Sequence, residues 1–486
     1  MGIVINQSIR NSISLYIGML IGAINTVIIY PNVFHDNPEY LGLIQVLLAY
    51  AFVIVTCTNF GIPQIFIRFY PIIKYKGPLF LLSLIFPLIG FVLVLLSYLF
   101  FKEQIFMLLN ADILLQENFF YIILLVFFIG YYEVLAAISY SHLSAVTPVF
   151  INDVFLKFYS MSVLLLYWYN YFDFTTFLQI YLFGYFVKFV ILFIILFRKK
   201  YLHFAFSLNG LDLKDMLSFG VYILLGSASL MIVTRLDMMM ISSLLNLEQL
   251  AFYAVAFYIG NAIRIPARAI GAISTPLIAQ AFEKKDFKEI QNLYSKSSIN
   301  QFIIGGLFFL CVWINIDAIF SLLPENFSQG KWVVLYIGLA QLLSVSAGVN
   351  SAIIINSKYY KYDLFTSLFL VVVTITSNYV LIPKYGINGA AMATAFSVFL
   401  FNLIRIILIK LKMNLQPFSL KTLYTILILI AIYGVSICLP LTGNLYMDVL
   451  WKIFVVVAIF IPLLLSLELS EDINKLVIDV RKRLGL

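Results

Sequence analysis

The sequence predicts an all-α polytopic membrane protein with about fourteen transmembrane helices. Hydrophobic residues make up 63% of the 486 residues, charged residues make up 11%, and the mean hydropathy is +1.02. A soluble domain is about a quarter charged. The apolar runs are about 20 residues long, which is the length that a helix needs to cross a bilayer. They are too long and continuous for the alternating strands of a membrane β-barrel.

Polar breaks separate the apolar runs and mark the expected ends of the helices. No stretch between them is long and polar enough for a separate soluble domain, so we expect the whole chain to lie in the membrane. The predicted spans are residues 13–30, 42–67, 79–101, 118–140, 149–169, 174–197, 217–244, 250–280, 299–322, 332–356, 364–382, 387–409, 422–440 and 447–467.

Lysine and arginine are unevenly distributed over the predicted loops. With a cytoplasmic N-terminus, the outside loops hold little beyond Lys102, Lys331 and Lys384, and the inside loops and the C-terminal tail hold most of the remaining cations. Cytoplasmic loops of membrane proteins are rich in these residues. We therefore expect an even number of spans and both termini in the cytoplasm. The net charge of +8 is explained in this way without a nucleic-acid partner.

The sequence offers no residues for an enzyme reaction or for a cofactor. There is no CxxC motif, the three histidines are scattered, and neither a disulfide framework nor a zinc site is indicated. Motifs for ATP binding or hydrolase chemistry are missing at the predicted membrane surfaces. The outside loops are short, which disfavours a membrane glycan polymerase or ligase. We expect a protein that is not an enzyme and that needs no metal or cofactor.

A short internal repeat suggests two halves. The segments NPEYLGLIQVLLAY (37–50) and NLEQLAFYAVAFYI (246–259) share Asn, Glu and Leu in register, and each lies at the turn between the first and second helix of a six-helix unit. Because six is even, the halves form a parallel repeat about an axis normal to the membrane. The predicted domains are an N-terminal six-helix lobe (1–200), a C-terminal six-helix lobe (201–415), and two additional helices with a cytoplasmic tail (416–486).

Ionisable residues inside the spans are the first candidates for function, since each costs roughly 2.5–3.5 kcal/mol at a helix centre. Arg264 and Arg268 are one helical turn apart and share a face. Pro266 lies between them and donates no backbone hydrogen bond, so a kink is expected there. Either the arginines attract an anion in a hydrated cavity, which we favour, or one of them pairs with a carboxylate and only holds the helices together.

Other buried charges leave alternatives open. Arg235 and Asp237 are two residues apart and point about 200° away from each other. In one arrangement Arg235 faces inward, and Asp237 pairs elsewhere or faces an arginine of the eighth helix. Binding of a coupling ion by Asp237 is a further alternative. Glu133 and Lys188 either line the cavity from the first half or pair with one another.

Charges near the cytoplasmic ends of spans have simpler interpretations. Asp153 and Lys157 have the i, i+4 spacing of an intrahelical ion pair. For Arg405 we expect the side chain to extend to the membrane surface. Arg68 follows Pro63 in a helix that the repeat pairs with the eighth helix, so it is a candidate for either the surface or the cavity.

Several motifs resemble those of a known transporter family. VLIPKYGINGAAMATAFSVFLFNLIR (380–405) is similar to the signature of helices 11 and 12 in polysaccharide flippases. TRLDMMMIS (234–242), PEYLGL (38–43) and the N-terminal MGIVINQSIRNSISLYIGMLIGAINT resemble flippases of O-antigen, a part of lipopolysaccharide, and of capsule. The resemblance is to the polysaccharide-transport branch of the multidrug/oligosaccharidyl-lipid/polysaccharide exporter superfamily.

That resemblance implies two six-helix lobes around a central cavity. It also implies alternating access that carries an undecaprenyl-diphosphate-linked oligosaccharide from the inner to the outer leaflet of the bacterial cytoplasmic membrane. In such flippases, and in lipid II flippases, arginines lining the cavity attract the diphosphate, and Arg264, Arg268 and Arg68 lie on helices where that role is expected. The first helix carries Asn25 and no buried arginine, so the arginine set of a lipid II flippase is incomplete.

The candidate site therefore combines cations, one amide and two carboxylates. A multidrug exporter of the same superfamily is the alternative function, although its cavity is expected to favour carboxylates over arginines. Expected partners are the lipid-linked oligosaccharide, membrane lipid and other glycan-assembly proteins, with H⁺ or Na⁺ as the open choices for a coupling ion. The substrate-binding candidates are Arg264, Arg268, Arg235, Arg68, Lys188 and Asn25, and the coupling-ion or ion-pair candidates are Asp237 and Glu133.

Overall fold

The computed structural model describes residues 2–202, 212–440 and 443–475, without the side chains of residues 2–9, 12, 230, 268, 269 and 272. Within these ranges all regular secondary structure is helical. The predicted all-α class is confirmed. Contacts along the chain divide it into two compact units, Met1–Val255 (unit 1) and Ala256–Leu486 (unit 2).

Unit 1 is built from helices of very different lengths, and two of its segments are π-helical. Its elements are α1 (Gly2–Ala23), the first π-helix (Ile24–Ile29), α2 (Tyr30–Val33), α3 (Pro38–Thr58), α4 (Ile62–Phe69), α5 (Gly77–Leu109), α6 (Ile113–Asn118), α7 (Phe120–Ser141), α8 (Val146–Phe150), the second π-helix (Ile151–Phe155), α9 (Leu156–Trp168), α10 (Phe174–Arg198) and α11 (Leu213–Leu244).

The division between the units falls inside α12 (Leu247–Asn261). Unit 2 continues with a 3₁₀ turn (Ala262–Arg264), α13 (Ile265–Glu283), α14 (Phe287–Ile314), α15 (Ile316–Ser321), a second 3₁₀ segment (Glu325–Gly330), α16 (Lys331–Ser346), α17 (Asn350–Asn356), α18 (Lys361–Met413), α19 (Leu420–Ile437) and α20 (Leu445–Ser466). Helix α11 packs against α3, which explains why unit 1 extends beyond the lobe boundary predicted at residue 200. The three-part division stays a prediction.

Within the described residues, eleven helices are long and apolar enough to cross a membrane, or up to thirteen if each of two bent pairs is one span. This count, which rests on length and composition, does not confirm the predicted number of about fourteen. One of the eleven is α18, whose 53 residues contain both predicted spans 364–382 and 387–409.

Helix α18 folds back on itself at Gly386. That residue has φ 58° and ψ −138°, a backbone conformation that a residue with a Cβ rarely adopts. The hydroxyl oxygens of Ser377 and Ser397 lie 3.3 Å apart although twenty residues separate them. The two arms are therefore antiparallel, and the segment 380–405 singled out in the sequence contains their turn.

Two predicted spans are interrupted. The second predicted span, 42–67, was expected to be one helix, but α3 ends at Thr58 and α4 begins at Ile62, with Pro63 in the first turn of α4. Proline suits that position because its missing N–H has no helical partner there. In the eighth predicted span a 3₁₀ turn separates α12 from α13, and Pro266 lies in the first turn of α13. A kink is predicted at Pro266; the structure has a short 3₁₀ turn just before it, inside a helical stretch (Leu247–Ala267) that is one candidate span.

The internal repeat marks equivalent helix starts. Asn37 is the residue before α3, and Asn246 is the residue before α12. The backbone N–H of Gln249 donates to the side-chain oxygen of Asn246 at 2.8 Å, which is the usual role of asparagine at a helix N-terminus. Both segments therefore begin the second helix of their series, as the sequence predicts.

Helix α7 is the centre of unit 1. It packs against α3, α4, α5 and α10. Of the 18 consecutive residues that form its most apolar stretch, 72% are buried. A buried apolar cluster fixes its C-terminal half; it includes Ile62, Phe66, Tyr132, Ile138 and Leu192. The polar residues of α7 are therefore held on a rigid element.

Candidate functional site

A cavity of about 390 Å³ with a mixed polar and apolar lining lies in unit 1, among α3, α4, α7, α8, the second π-helix, α10 and α11. Cavities of this size are within the usual range for ligand pockets, roughly 300–1,000 Å³. The polar and aromatic side chains of its lining include Asn59, Gln64, Tyr132, Glu133, Tyr140, Asn152, Asp153 and Lys188.

Glu133 presents a carboxylate to this cavity from α7. One carboxylate oxygen accepts a hydrogen bond from the side-chain amide of Asn59 at 3.0 Å. Asn59 is itself buried beside Gly130, to whose carbonyl it also donates at 3.4 Å. The second carboxylate oxygen accepts no hydrogen bond from any residue that the structure describes, so it is available to a ligand.

Lys188 presents an ammonium group from α10. Its side chain is 1% exposed, and Nζ donates to Oδ1 of Asn152 at 3.0 Å. The same nitrogen lies 4.4 Å from the ring centroid of Tyr132 and 4.8 Å from that of Tyr185. Aromatic faces stabilise a desolvated cation, so two tyrosines and one amide hold this charge inside the unit.

Glu133 and Lys188 both line this unit 1 cavity. Their place on a central cavity between the halves stays a prediction. Each bonds to an asparagine, Glu133 to Asn59 and Lys188 to Asn152. They form no ion pair with each other among the described residues.

The ion pair predicted between Asp153 and Lys157 is confirmed, with 3.8 Å between the charged atoms. Lys157 also donates to the backbone carbonyl of Gly18 in α1 at 3.1 Å. Asp153 and the neighbouring Asn152 both line the cavity, and both lie in the second π-helix. Such segments are rare and occur often at functional sites.

Asn25 lies away from the lining of this cavity. It is 3% exposed and donates to the backbone carbonyl of Lys157 at 3.0 Å. It therefore joins the first π-helix to α9. A role of Asn25 in substrate binding stays a prediction, and its observed contact is one between helices.

Arg235 and Asp237 point to different neighbours, as their spacing predicts. The Arg235 guanidinium lies 5.0 Å from the ring centroid of Phe52, and Phe52 lines the cavity. Asp237 is buried and accepts a hydrogen bond from the hydroxyl of Tyr253 in α12 at 2.5 Å.

The two arginines near predicted cytoplasmic ends differ from each other. Arg68 is exposed in the last turn of α4, with its guanidinium 4.0 Å from the ring centroid of Phe219. Arg405 is 4% exposed and forms an ion pair with Asp363 at 2.5 Å. The expectation that Arg405 extends to the membrane surface is therefore wrong, because the turn at Gly386 brings a carboxylate to it.

The arginines of the interrupted helix lie in unit 2. Arg264 is the last residue of the 3₁₀ turn and is exposed. Arg268 lies one turn further along the backbone of α13, and its side chain is outside the described residues. The structure thus gives Arg264 a place at a break between two helices and leaves the shared face of the pair a prediction.

Sequence reasoning missed the amides of the cavity. Asn59 and Asn152 hold the two buried charges, and Gln64 adds a third amide to the lining. Polar residues within apolar spans are costly and mark functional or packing sites. Asn152 beside Asp153, and Asn59 shortly before Pro63, are polar residues of this kind that the sequence already shows. Within the described residues no group of three or more His, Cys, Asp or Glu side chains is placed to hold a metal ion.

Comparison with known proteins identifies related sequences and folds. A sequence model of the MatE family matches residues 223–380. The chain is 26% identical over 226 residues to an uncharacterized membrane protein of Methanocaldococcus jannaschii, an alignment that covers 44% of this chain and 43% of that protein. The chain thus matches less than half the length of this curated relative.

Solved structures share the fold over nearly the whole chain. The lipid II flippase MurJ in an inward closed conformation has a TM-score of 0.70 at 16% identity, covering 94% of this chain and 97% of that one. The matches support the multidrug/oligosaccharidyl-lipid/polysaccharide exporter superfamily. An inward-facing multidrug resistance transporter of the MATE family in this superfamily has a TM-score of 0.64 at 14% identity, covering 84% and 98%. The matched families are transporters, and this chain is a multi-pass membrane protein with their fold.

Proposed function

We propose that the protein is a flippase that moves an undecaprenyl-diphosphate-linked oligosaccharide from the inner to the outer leaflet of the bacterial cytoplasmic membrane. Both termini lie in the cytoplasm in this proposal. Transport proceeds by alternating access, without a covalent step. Other proteins of glycan assembly supply the lipid-linked oligosaccharide and receive it.

The observation that carries the proposal is the interrupted helix at residues 262–264. A helix break within an apolar span places the exposed Arg264 next to α13, and Arg268 follows one turn later. Guanidinium groups bind phosphate oxygens through charge-assisted, often bidentate hydrogen bonds. A diphosphate carries several such oxygens, so two arginines one turn apart suit it. Arg68 and Arg235 are additional cations for this role.

Release on the outer side requires that the diphosphate be bound less tightly there. A gradient of H⁺ or Na⁺ supplies the energy, and the two candidate carboxylates are Asp237 and Glu133. Each accepts a hydrogen bond from an uncharged group, Asp237 from the hydroxyl of Tyr253 and Glu133 from the amide of Asn59. An uncharged partner permits a carboxylate to gain or lose a cation without breaking an ion pair with that partner.

The test is charge reversal at the helix break. We expect the double substitution Arg264→Glu/Arg268→Glu to abolish surface glycan, because two repelling charges replace two attracting ones, while the protein remains in the membrane. Surface glycan is measured by antibody or lectin staining and protein level by immunoblot.

The matched control is Lys284→Glu/Lys288→Glu. These lysines have the same spacing, are exposed, and lie just beyond α13. We expect this control to leave surface glycan unchanged. Normal glycan display in the arginine variant contradicts the proposal.

Export of cationic drugs is the second candidate function. It is favoured by the carboxylates of Glu133 and Asp153 in the lining of the unit 1 cavity and by the fold shared with a multidrug transporter. Asp153 is already paired with Lys157, so only Glu133 is left to attract a cation there.

A further inference from the structure

The charges that face the unit 1 cavity are balanced. Among its described lining residues, α7 contributes Glu133, α10 contributes Lys188 and the second π-helix contributes Asp153, which is paired with Lys157. The lining residues from α3, α4, α8 and α11 carry no formal charge. Lys188 is therefore the one cation of the described lining that can pair with an anionic group, and a single negative charge suits it better than the several charges of a diphosphate.

The hydrogen-bonding groups of the cavity are both donors and acceptors. Glu133 has one carboxylate oxygen without a described partner, and it only accepts. Asn152 uses its oxygen to bind Lys188, and its NH₂ group donates to no described residue. Lys188 has N–H groups beyond the one bonded to Asn152, and its ammonium otherwise faces tyrosine rings.

A phosphate group and a hydroxyl group differ in how they match this set. Ionised phosphate oxygens only accept hydrogen bonds, so a diphosphate offers no donor to Glu133, whereas a hydroxyl group both donates and accepts. A ring with several hydroxyl groups can donate to Glu133 and accept from Asn152. Lys188 adds a fixed cation on the same lining, and Tyr132 and Tyr140 add two aromatic side chains to it.

We propose that the unit 1 cavity binds one sugar of the oligosaccharide, a hydroxyl-rich ring that carries a carboxylate or another anionic group. The anionic group binds Lys188, ring hydroxyls bind Glu133 and Asn152, and the diphosphate stays outside this cavity. This inference rests on the proposed function and assigns a glycan subsite within it. A volume of about 390 Å³ makes it a site for a small part of the glycan.

The test uses glucuronate and glucose as probes of the full-length protein in lipid nanodiscs. Saturation-transfer NMR reports weak binding of each sugar. We expect a clear signal for glucuronate and a weaker one for glucose, because glucose lacks the carboxylate that pairs with Lys188. Lys188→Met should weaken glucuronate binding about tenfold or more, as expected for the loss of a charge-assisted contact, and should leave glucose unaffected. Glu133→Gln should weaken both.

Two further variants separate binding from folding. Gln64 lines the cavity and is exposed, so Gln64→Trp fills its edge without removing a buried charge and should abolish the glucuronate signal. The control Lys102→Met/Glu103→Gln makes the same two chemical changes at exposed positions of α5 and should change nothing. No signal for glucuronate, equal signals for both sugars, or an undiminished signal in Lys188→Met and Gln64→Trp overturns the inference.

The sugar-binding test and the charge-reversal test can fail independently of each other. Loss of glucuronate binding in the cavity variants with normal glycan display in Arg264→Glu/Arg268→Glu supports the sugar subsite and contradicts the flippase proposal. The opposite pair of results supports the flippase and contradicts the subsite.

Discussion

Arg405 and Asp363 form a buried ion pair between the two arms of α18. The arginine side chain is 5% exposed and the aspartate side chain 24%. Arg405 also donates from Nε to the hydroxyl of Thr366 at 3.2 Å, and its guanidinium lies 4.0 Å from the ring centroid of Phe401. The pair therefore joins the first turn of the helix to its far arm.

We expect Arg405→Met to lower the free energy of unfolding by about 2–4 kcal/mol, because it leaves Asp363 half-buried without its partner. This loss of unfolding free energy is smaller than that for breaking a fully buried ion pair, since water still reaches the carboxylate of Asp363. The double variant Arg405→Met/Asp363→Leu should recover most of the loss. Unfolding in detergent, followed by circular dichroism, measures both, and strictly additive losses contradict the coupling.

Partners close in sequence were predictable and distant ones were not. The Asp153–Lys157 pair follows from four-residue spacing alone. Arg405 and Asp363 are 42 residues apart, and only the turn at Gly386 brings them together. Lys188 and Asn152 are 36 residues apart on separate helices. Local spacing marks a charge as buried, but its partner depends on packing.

Gly42 marks a close approach between two helices of unit 1. A Cβ built on this residue of α3 meets the backbone carbonyl of Leu247, at the start of α12, at less than contact distance. Both residues belong to the repeated segments, so the two repeats pack against each other at their helix starts. Backbone cannot move aside as a side chain can.

We expect Gly42→Ala to destabilise the protein by about 1–3 kcal/mol, the range for overpacking. Gly434→Ala in α19 is the control, since a Cβ there has open space and alanine favours a helix by roughly 1 kcal/mol over glycine. Thermal unfolding of both variants in detergent measures the difference. An unchanged or raised midpoint in Gly42→Ala contradicts the close approach.

The helices themselves were largely predictable because apolar runs and polar breaks reflect the bilayer directly. Pro266 predicted a kink in its helix, and the structure has a 3₁₀ turn just before it, at residues 262–264. The break at residues 59–61 was missed, since the polar residues before Pro63 are too few to divide the apolar run 42–67. Glu133 and Lys188 stand out in the sequence as intramembrane charges, but the unit 1 cavity that they line was not predicted. Its amides come from separate helices, and no local pattern groups them.

Depletion of the whole protein separates the candidate functions. For a flippase we expect the lipid-linked oligosaccharide to accumulate on the inner leaflet, because its polar head crosses the hydrocarbon core very slowly without a carrier. Radiolabelled lipid extracts show the accumulation. Periodate applied to intact spheroplasts should leave the glycan unoxidised and should oxidise it after permeabilisation. Wild-type protein should restore export, and the Arg264→Glu/Arg268→Glu variant should not.

Two other outcomes of depletion would contradict the flippase. Single repeat units accumulating outside would instead indicate a polymerase. Normal surface glycan together with raised sensitivity to cationic drugs would indicate a multidrug exporter. Depletion of such an exporter stops drug removal and leaves glycan display intact.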